Sequence, residues 1–281
     1  MATERWYTRA RIALGTLIEV RLHAAEASVE RFEAAFAAID RVHRAMSAHA
    51  CDSDVARIAR RAHRSVVAVD AQTFAVLRLA KELFDVSNGQ FDVTCGARRA
   101  RGGTFDAIDL IGPRHVHATR PVTIDLGGIA KGFAVDCAVA ALKGCGAIRG
   151  SVNAGGDLRV FGDGWEPLQV RDPRTASGLL ALGTIHECAV ATSADYFRSG
   201  QSALISREAA SPRPFAASIT TIARTCALAD ALTKCVALDR RGAHALLARY
   251  DAVALILEPE GTAMQCLATG PVANGFAQLA A

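Results

Sequence analysis

The sequence predicts an α+β fold in which helices flank an antiparallel β meander. Three observations lead to this prediction. Apolar residues recur at three- and four-residue steps in several long stretches, which indicates helices. Short β-like runs separated by Gly-Gly, Asp-Gly and Asp-Pro pairs fill residues 148–192, as expected for strands joined by tight turns. Helices and strands also come in blocks rather than in strict alternation, which favours α+β over a parallel sheet.

The first half of the chain is predicted to be mainly helical. Asp70 is a good N-cap for the third helix, and Gly89 would end it by adopting the left-handed conformation. The predicted elements are a strand over Ile12–Leu22 interrupted by Gly15, helices over 29–47, 53–62 and 71–86, a short strand at Val66–Val69, a loop after Arg98, a short β run at Val122–Ile124 and a helix over about 128–143.

The second half carries the meander. Its predicted strands are Ile148–Asn153, Leu158–Phe161, Leu168–Arg171, Leu179–Ile185, Cys188–Thr192 and Ser218–Ile222. Two helices follow, over Thr225–Leu238 and near Ala243–Tyr250, and the chain then forms a hairpin from Ala252–Leu257 and Thr262–Leu267 around Gly261. Neither repeats nor linkers interrupt this pattern, so we predict a single domain over residues 1–281.

Composition limits the classes of partner. The net charge is +4 and is spread along the chain, which argues against nucleic acid as a partner. The sequence contains no apolar stretch of membrane-spanning length, and its first eleven residues lack the apolar core of a signal peptide, so we expect a cytoplasmic protein without membrane insertion. The eight cysteines include no C-x-x-C pair, which favours reduced thiols.

The stretch from Asp125 to Asp136 carries the clearest chemical signal. An acidic residue follows a β-like run, two glycines come next, and Lys131 lies in the first turn of the predicted helix. Glycines allow close backbone approach, and a helix N-terminus favours anions, so a phosphate group would fit here. An ordinary strand-to-helix turn would have the same local pattern.

Five further stretches occur with this motif in a fixed order. They are Ser87-Asn88-Gly89-Gln90-Phe91-Asp92-Val93-Thr94, Val152-Asn153-Ala154-Gly155-Gly156-Asp157-Leu158, Trp165–Pro173, Ala191-Thr192-Ser193-Ala194-Asp195-Tyr196 and Ala227-Leu228-Ala229-Asp230-Ala231-Leu232. Together with the glycine motif, they resemble the ApbE-like family of FAD:protein FMN transferases. The resemblance extends from about Ile12 to the final hairpin.

The resemblance implies a definite reaction. Such enzymes bind FAD, use a divalent metal such as Mg²⁺ at its pyrophosphate, and transfer the FMN half to a Thr or Ser hydroxyl of an acceptor protein, while AMP leaves. It also implies a ligand site between a β-rich half and a helical half of an ApbE-like fold. Neutralising the pyrophosphate charge and aligning the acceptor hydroxyl are the main requirements of this chemistry.

The resemblance also implies site residues. Positions matching FAD contacts are Leu14, His49, Gln90, Phe91, Asp92, Asp125, Lys131 and Ile205, and positions matching metal ligands are the backbone of Gly128, the carboxylate of Asp230 and, one residue out of register, Thr233. A lone Asp on an apolar helical face is costly unless it is paired or binds an ion. Lys131 could instead be a solvated helix lysine, Phe91 a core residue and His49 a surface residue. No catalytic residue is predicted.

Two departures from the family pattern leave alternatives open. Lys234 stands four residues after Asp230, where the family has a threonine hydroxyl. Either Thr233 takes over that role, or Lys234 supplies the charge of the metal. The family's His-x-x-Asp-Pro segment is replaced by the run 203–210, which lacks both the histidine and the aspartate. The alternatives to a transferase are therefore a flavin carrier or sensor, and an FAD pyrophosphatase.

Overall fold

The computed structural model describes residues 3–26, 28–94, 104–172, 178–193, 218–260, 263–269 and 276–278. The helices are α1 (Val29–Met46), α2 (Asp54–Arg61), α3 (Ala71–Val86), α4 (Ala130–Gly144), α5 (Cys226–Leu238) and α6 (Arg240–Arg249). The strands are β1 (Arg5–Ala13), β2 (Thr16–Ala24), β3 (Val67–Ala68), β4 (Ile108–Ile111), β5 (His115–Ala118), β6 (Gly150–Ala154), β7 (Asp157–Phe161), β8 (Glu166–Arg171), β9 (Leu179–Ile185), β10 (Ala189–Ser193), β11 (Ser218–Ala223), β12 (Val253–Glu260), β13 (Ala263–Thr269) and β14 (Phe276–Gln278).

An eight-stranded antiparallel sheet forms the centre of the fold. Its strand order is β1-β2-β6-β7-β10-β11-β12-β13. Helices α4 and α5 pack against each other and against strands of this sheet, and α1 packs against α4. The large apolar core lies between these helices and the sheet, and includes buried residues of both. The predicted α+β class is therefore confirmed.

The predicted meander is interrupted by a second sheet. Strand β7 pairs with β10 rather than with β8, while β8 and β9 pair with each other and with β14 in a separate three-stranded sheet. The apolar side chains of β8 and β9, including Leu168 and Ile185, pack with Val190, Ile222 and Leu255 of the large sheet in a second core. Because both faces of the large sheet are covered here, residues of β11 and β12 are buried on both sides.

The predicted N-terminal strand is wrong in one respect, since it is a hairpin of two strands. Leu14 and Gly15 both have positive φ, at 54° and 72°, and form the two-residue turn between β1 and β2. Primed turns of this kind match the twist of the flanking strands. Strand β1 lies at the edge of the sheet and is mostly exposed, with arginines at positions 5, 9 and 11, so its sequence lacks the apolar run that marks a buried strand.

The helix boundaries in the first half follow local signals. Helices α1 and α3 have the predicted extents, and the caps Ser28 and Asp70 accept hydrogen bonds from backbone N–H groups of the first turns. The predicted β run at Val122–Ile124 is wrong, because these residues form no strand. The sequence prediction also lacked β4 and β5. Strand β5 pairs with both β3 and β4 in a small sheet, and His115 and His117 of β5 alternate with buried residues.

Among the helices of the described residues, none has the length and apolar character needed to cross a bilayer.

Candidate functional site

The glycine motif forms a turn that leads directly into α4. The backbone N–H of Asp125 donates to the carbonyl of Val93 at 2.7 Å, which joins the turn to the segment after α3. The Asp125 carboxylate then accepts from the N–H of Gly127 at 2.8 Å. Residue Ile129, at the N-cap of α4, makes no side-chain capping hydrogen bond. Asp125 therefore has a structural role in shaping the turn at the start of the helix.

Helices α4 and α5 approach each other closely at Gly132. A Cβ atom at this position would lie 2.2 Å from the carbonyl oxygen of Cys226, a distance no real Cβ atom shows. Cys226 is the first residue of α5 and is fully buried. Glycine at position 132 is thus what allows the N-terminal turns of the two helices to meet.

Each of the two helices supplies a carboxylate to the first turn of the other. Asp136 of α4 accepts from the backbone N–H groups of Cys226 and Ala227, both at 2.9 Å. Asp230 of α5 accepts from the N–H of Gly132 at 3.4 Å. These reciprocal bonds satisfy N–H groups that a helix leaves without partners, and they favour negative charge at both N-termini.

Four charged side chains meet where α4, α5 and β7 come together. Lys131 Nζ lies 2.5 Å from Asp157 Oδ2, and Lys234 Nζ forms an ion pair with Asp230 Oδ1. We call Lys131, Asp157, Asp230 and Lys234 the charge cluster. Both carboxylate side chains are only 1% exposed, whereas the lysine side chains of the cluster are 29% and 23% exposed. The carboxylates therefore lie beneath the lysines.

Burial and mutual charge set the protonation of the cluster. Burial raises the pKa of Asp157 to about 7, with a further increase from Asp230 and an opposing effect of Lys131 and Lys234. Burial also acts against ionised Asp230, but Lys234 and Lys131 outweigh it and hold the pKa of Asp230 below its usual value. For Lys131, burial lowers the pKa, yet Asp157 and Asp230 more than reverse this and raise it. The cluster thus keeps Lys131 charged.

Lys234 lies directly against the glycine turn. A Cβ atom at Gly128 would be 3.6 Å from Lys234 Cε and 3.8 Å from Cε2 of Phe91. Phe91 itself is buried and packs in the large core. The aliphatic stem of Lys234 therefore lies beside Gly128, and its ammonium reaches Asp230.

Thr233 is engaged within the protein. It is fully buried, its hydroxyl donates to the carbonyl oxygen of Asp230 at 2.7 Å, and Ser193 Oγ lies 2.8 Å from the same hydroxyl. Ser193 ends β10, next to Thr192, whose hydroxyl pairs with Thr220 at 2.9 Å. The Ser193 and Thr233 hydroxyls lie between α5 and the sheet, whereas the Thr192–Thr220 pair lies on the opposite face, because neighbouring residues of a strand point to opposite faces.

The residues at Asp230 do not fit a divalent ion. Mg²⁺ prefers oxygen ligands, but both carboxylate oxygens of Asp230 already have partners. The Lys234 ammonium pairs with Oδ1, and the N–H of Gly132 donates to Oδ2. An ammonium group has no lone pair with which to bind a cation. Within the described part of the chain, no group of three or more His, Cys, Asp or Glu side chains could hold a metal ion.

The other predicted contact residues lie in separate segments of the chain. Leu14 lies in the β1–β2 turn, and Thr16 of this hairpin lies against Gly155 of the β6–β7 turn, two residues before Asp157. Gln90 is exposed and donates to Asp239 at 3.1 Å. The Asp92 carboxylate accepts from the backbone N–H and the hydroxyl of Thr94.

Two predicted residues are not brought to the cluster by the contacts that the structure describes. His49 is exposed, and its N–H donates to Ser47 Oγ at 3.2 Å. Across the described ranges, no hydrogen bond or ion pair links His49 to the charge cluster. Ile205 and the segment 203–210 lie outside the described residues.

Sequence reasoning missed Asp157 as a member of the site. It belongs to the Asn-Ala-Gly-Gly-Asp stretch, where an Asp after two glycines has the pattern of an ordinary turn residue. The available signal was its position as the first residue before an apolar strand, where a carboxylate becomes buried and needs a partner.

Comparisons with known proteins agree with this architecture. A curated relative, the FAD:protein FMN transferase of Treponema pallidum, is 26% identical over 241 residues, which are 70% of this chain and 67% of the relative. The structure of the flavin transferase ApbE from Vibrio cholerae superposes with a TM-score of 0.79 at 21% identity, over 96% of this chain and 99% of that one. That of the Pseudomonas stutzeri flavinyl transferase ApbE has a TM-score of 0.78 at 20% identity, over 95% of each chain.

A structure of an ApbE protein from Thermotoga maritima is also similar, with a TM-score of 0.73 at 25% identity over 93% of this chain and 97% of that one. The family model described as the ApbE family matches residues 14–257, a range that includes the glycine turn, the Asn-Ala-Gly-Gly-Asp stretch and the α5 motif. With most of its length matched by this model, and with the same fold as these structures, the chain belongs to the ApbE family.

Proposed function

We propose that this protein is an FAD:protein FMN transferase. In the proposed reaction, a Thr or Ser hydroxyl oxygen of an acceptor protein attacks the phosphorus of the FMN half of FAD. The bond between that phosphorus and the bridging oxygen breaks, AMP leaves with the bridging oxygen, and the hydroxyl proton is released. The products are a phosphoester-linked FMN on the acceptor and free AMP.

The observation that carries the proposal is the pair of lysines above buried carboxylates at the glycine turn. Lys131 and Lys234 are held by Asp157 and Asp230 on two helices whose first turns are bonded to each other. Because the lysines retain exposure and the carboxylates do not, the lysine side of the cluster is the one that an anionic ligand can reach. Fixed positive charge of this kind stabilises the charge that develops on a leaving phosphate.

The remaining contacts to FAD are proposed from the family resemblance. Leu14 and His49 would lie toward the flavin, Gln90, Phe91 and Asp92 would form one wall of the nucleotide site, and Ile205 would contribute an apolar contact. Packing of Phe91 in the core favours a supporting role for its ring. Asp125 shapes the turn that presents the backbone of Gly128.

Besides FAD, the family resemblance implies Mg²⁺ as a cofactor. Its proposed ligands would be Asp230, Thr233 and the backbone of Gly128, and the contacts of Lys234 with the first and the last of these speak against a metal there. The proposed reaction therefore includes no step that involves a metal ion.

The first test is calorimetric titration of the flavin-free protein with FAD. The Lys131→Ala variant should bind FAD about tenfold or more weakly, since a hydrogen bond to a charged group is worth ~1.5–3 kcal/mol. Lys143→Ala is the matched control, because Lys143 lies on the same helix but near its C-terminal end, where it pairs with exposed Glu187. Equal affinities of the two variants would contradict the role of Lys131.

The products separate the proposed function from its alternatives. The protein is incubated with FAD and with a cell lysate as the source of acceptor proteins, and AMP, FMN and in-gel flavin fluorescence are measured. A transferase yields AMP and a fluorescent acceptor band in equal amounts. Free FMN with AMP identifies a pyrophosphatase, and bound but unchanged FAD identifies a carrier or sensor. Either of these two results would reject the proposal.

A further inference from the structure

Lys234 is the side chain of the charge cluster that contacts both Asp230 and the glycine turn. Lys234 follows Asp230 by one helical turn, so both side chains lie on the same face of α5. Its ammonium pairs with Asp230, and its stem lies beside Gly128 at the glycine turn. A permanent positive charge therefore stands at the carboxylate to which a divalent ion would bind.

We infer that the Lys234 ammonium binds the pyrophosphate of FAD directly, so that FAD binding by this chain does not require a divalent cation. The inference rests on the proposed function, because it takes FAD as the ligand. It assigns to Lys234 the charge neutralisation that a metal ion would otherwise supply at this position.

The geometry leaves the ammonium able to bind a second anion. A lysine ammonium has three donors, and Asp230 Oδ1 occupies one of them. Asp230 is almost fully buried, whereas the Lys234 side chain is 23% exposed, so the carboxylate holds the lysine from below. Lys131 is held in the same way by Asp157. Two such ammoniums beside a glycine turn match the two phosphates of a pyrophosphate in number and in charge.

The neighbouring hydroxyl does not offer an alternative metal ligand. Thr233 is fully buried and its hydroxyl bonds the Asp230 carbonyl and Ser193. Turning it toward Asp230 Oδ1 would break both hydrogen bonds and would bring a metal against the Lys234 ammonium. Of the two alternatives left open by the sequence, the contacts favour charge replacement by Lys234.

The experiment measures FAD affinity by calorimetry in excess EDTA and in millimolar MgCl₂. The wild-type protein should have the same Kd in both conditions. Lys234→Thr should bind about tenfold or more weakly in EDTA, as for the loss of a charged hydrogen bond, and should recover affinity in MgCl₂. Lys81→Thr is the matched control, since Lys81 forms a solvent-exposed pair with Asp85 four residues away on α3, and this variant should behave as wild type.

Two further variants keep the test decisive if Lys234→Thr fails to fold. Lys234→Gln retains a hydrogen-bond donor for Asp230 but loses the charge, and should also weaken binding in EDTA. Lys234→Arg retains the charge and should bind FAD equally well with and without MgCl₂. Binding of Mn²⁺, followed by its electron paramagnetic resonance signal without FAD, should increase only in Lys234→Thr.

The outcomes distinguish the inference from the proposed function. A wild-type protein that binds FAD only with Mg²⁺, or Lys234→Thr and Lys234→Gln variants that bind FAD like wild type in EDTA, would overturn the inference and leave the proposed function standing. A wild-type protein that binds no FAD in either condition would overturn the proposed function and the inference with it.

Discussion

The molecule contains two lysine–carboxylate pairs with the same helical spacing and very different surroundings. In α3, Lys81 pairs with Asp85 at 2.5 Å, and both side chains are more than 30% exposed. In α5, Lys234 pairs with Asp230, whose side chain is 1% exposed. Asp230 also accepts from the backbone of α4, whereas solvent screens Asp85. Equal spacing thus yields a weak surface pair in one helix and a fixed charge in the other.

The largest expected difference between the two pairs concerns their carboxylates. Asp230→Ala should lower the free energy of unfolding by about 3–5 kcal/mol, because it leaves the partly buried Lys234 ammonium without its partner and removes the acceptor of the Gly132 N–H. Urea denaturation followed by circular dichroism measures this change. A loss below about 1 kcal/mol would place the pair among ordinary surface ion pairs.

The burial of Asp230 depends on the close approach of the two helices, which a single methyl group can disturb. Gly132→Ala should destabilise the protein by about 1–3 kcal/mol, because the new Cβ would collide with the Cys226 carbonyl. Gly144→Ala, at the other end of α4, is the control: nothing lies within 4 Å of its Cβ position, and it should be neutral or slightly stabilising. Similar losses in both variants would mean that only helix propensity is being measured.

The pH dependence of stability tests the second buried carboxylate. The pKa of Asp157 is raised from 3.8 to about 7 by burial and by Asp230, so the native state keeps a proton that the unfolded state loses near pH 4. Stability from this group is therefore complete below about pH 4 and is lost as the pH rises through 7, with a slope of at most about 1.4 kcal/mol per pH unit. Asp157→Asn should remove this decline, and equal pH profiles of variant and wild type would contradict it.

The smallest expected effect belongs to the exposed pair. Asp85→Ala should change the free energy of unfolding by no more than about 0.5 kcal/mol, and added salt should reduce even this difference. The same urea titration in low and high NaCl measures it. A loss as large as that of Asp230→Ala would remove burial as the cause of the contrast.

Local signals in the sequence predicted much of the fold. The extents of α1 and α3 could be predicted because their caps and apolar steps lie within the elements themselves. Strand β1 could not, since an exposed edge strand buries no face and its sequence carries no apolar run that marks it. The route of β8 and β9 into a second sheet depends on packing across the large sheet, between residues far apart in the chain.

The candidate site was predictable only in its individual motifs. Lys131, Asp230 and the departure at Lys234 could be identified from the sequence, and the structure brings them into one cluster with Asp157. Their contacts depend on Gly132, whose role is set by a neighbour almost a hundred residues away. The roles in FAD binding of Leu14, His49, Gln90 and Asp92 remain predictions.

The exchange of carboxylates between α4 and α5 has a consequence for how the molecule opens. Because Asp136 closes the first turn of α5 and Asp230 bonds the first turn of α4, neither helix start can unravel without releasing a hydrogen bond of the other. The two helix starts should therefore behave as one cooperative unit in hydrogen exchange, with the amides of Gly132, Cys226 and Ala227 exchanging through a shared opening. Fraying of either helix terminus would therefore require the simultaneous opening of two segments that are far apart in the chain.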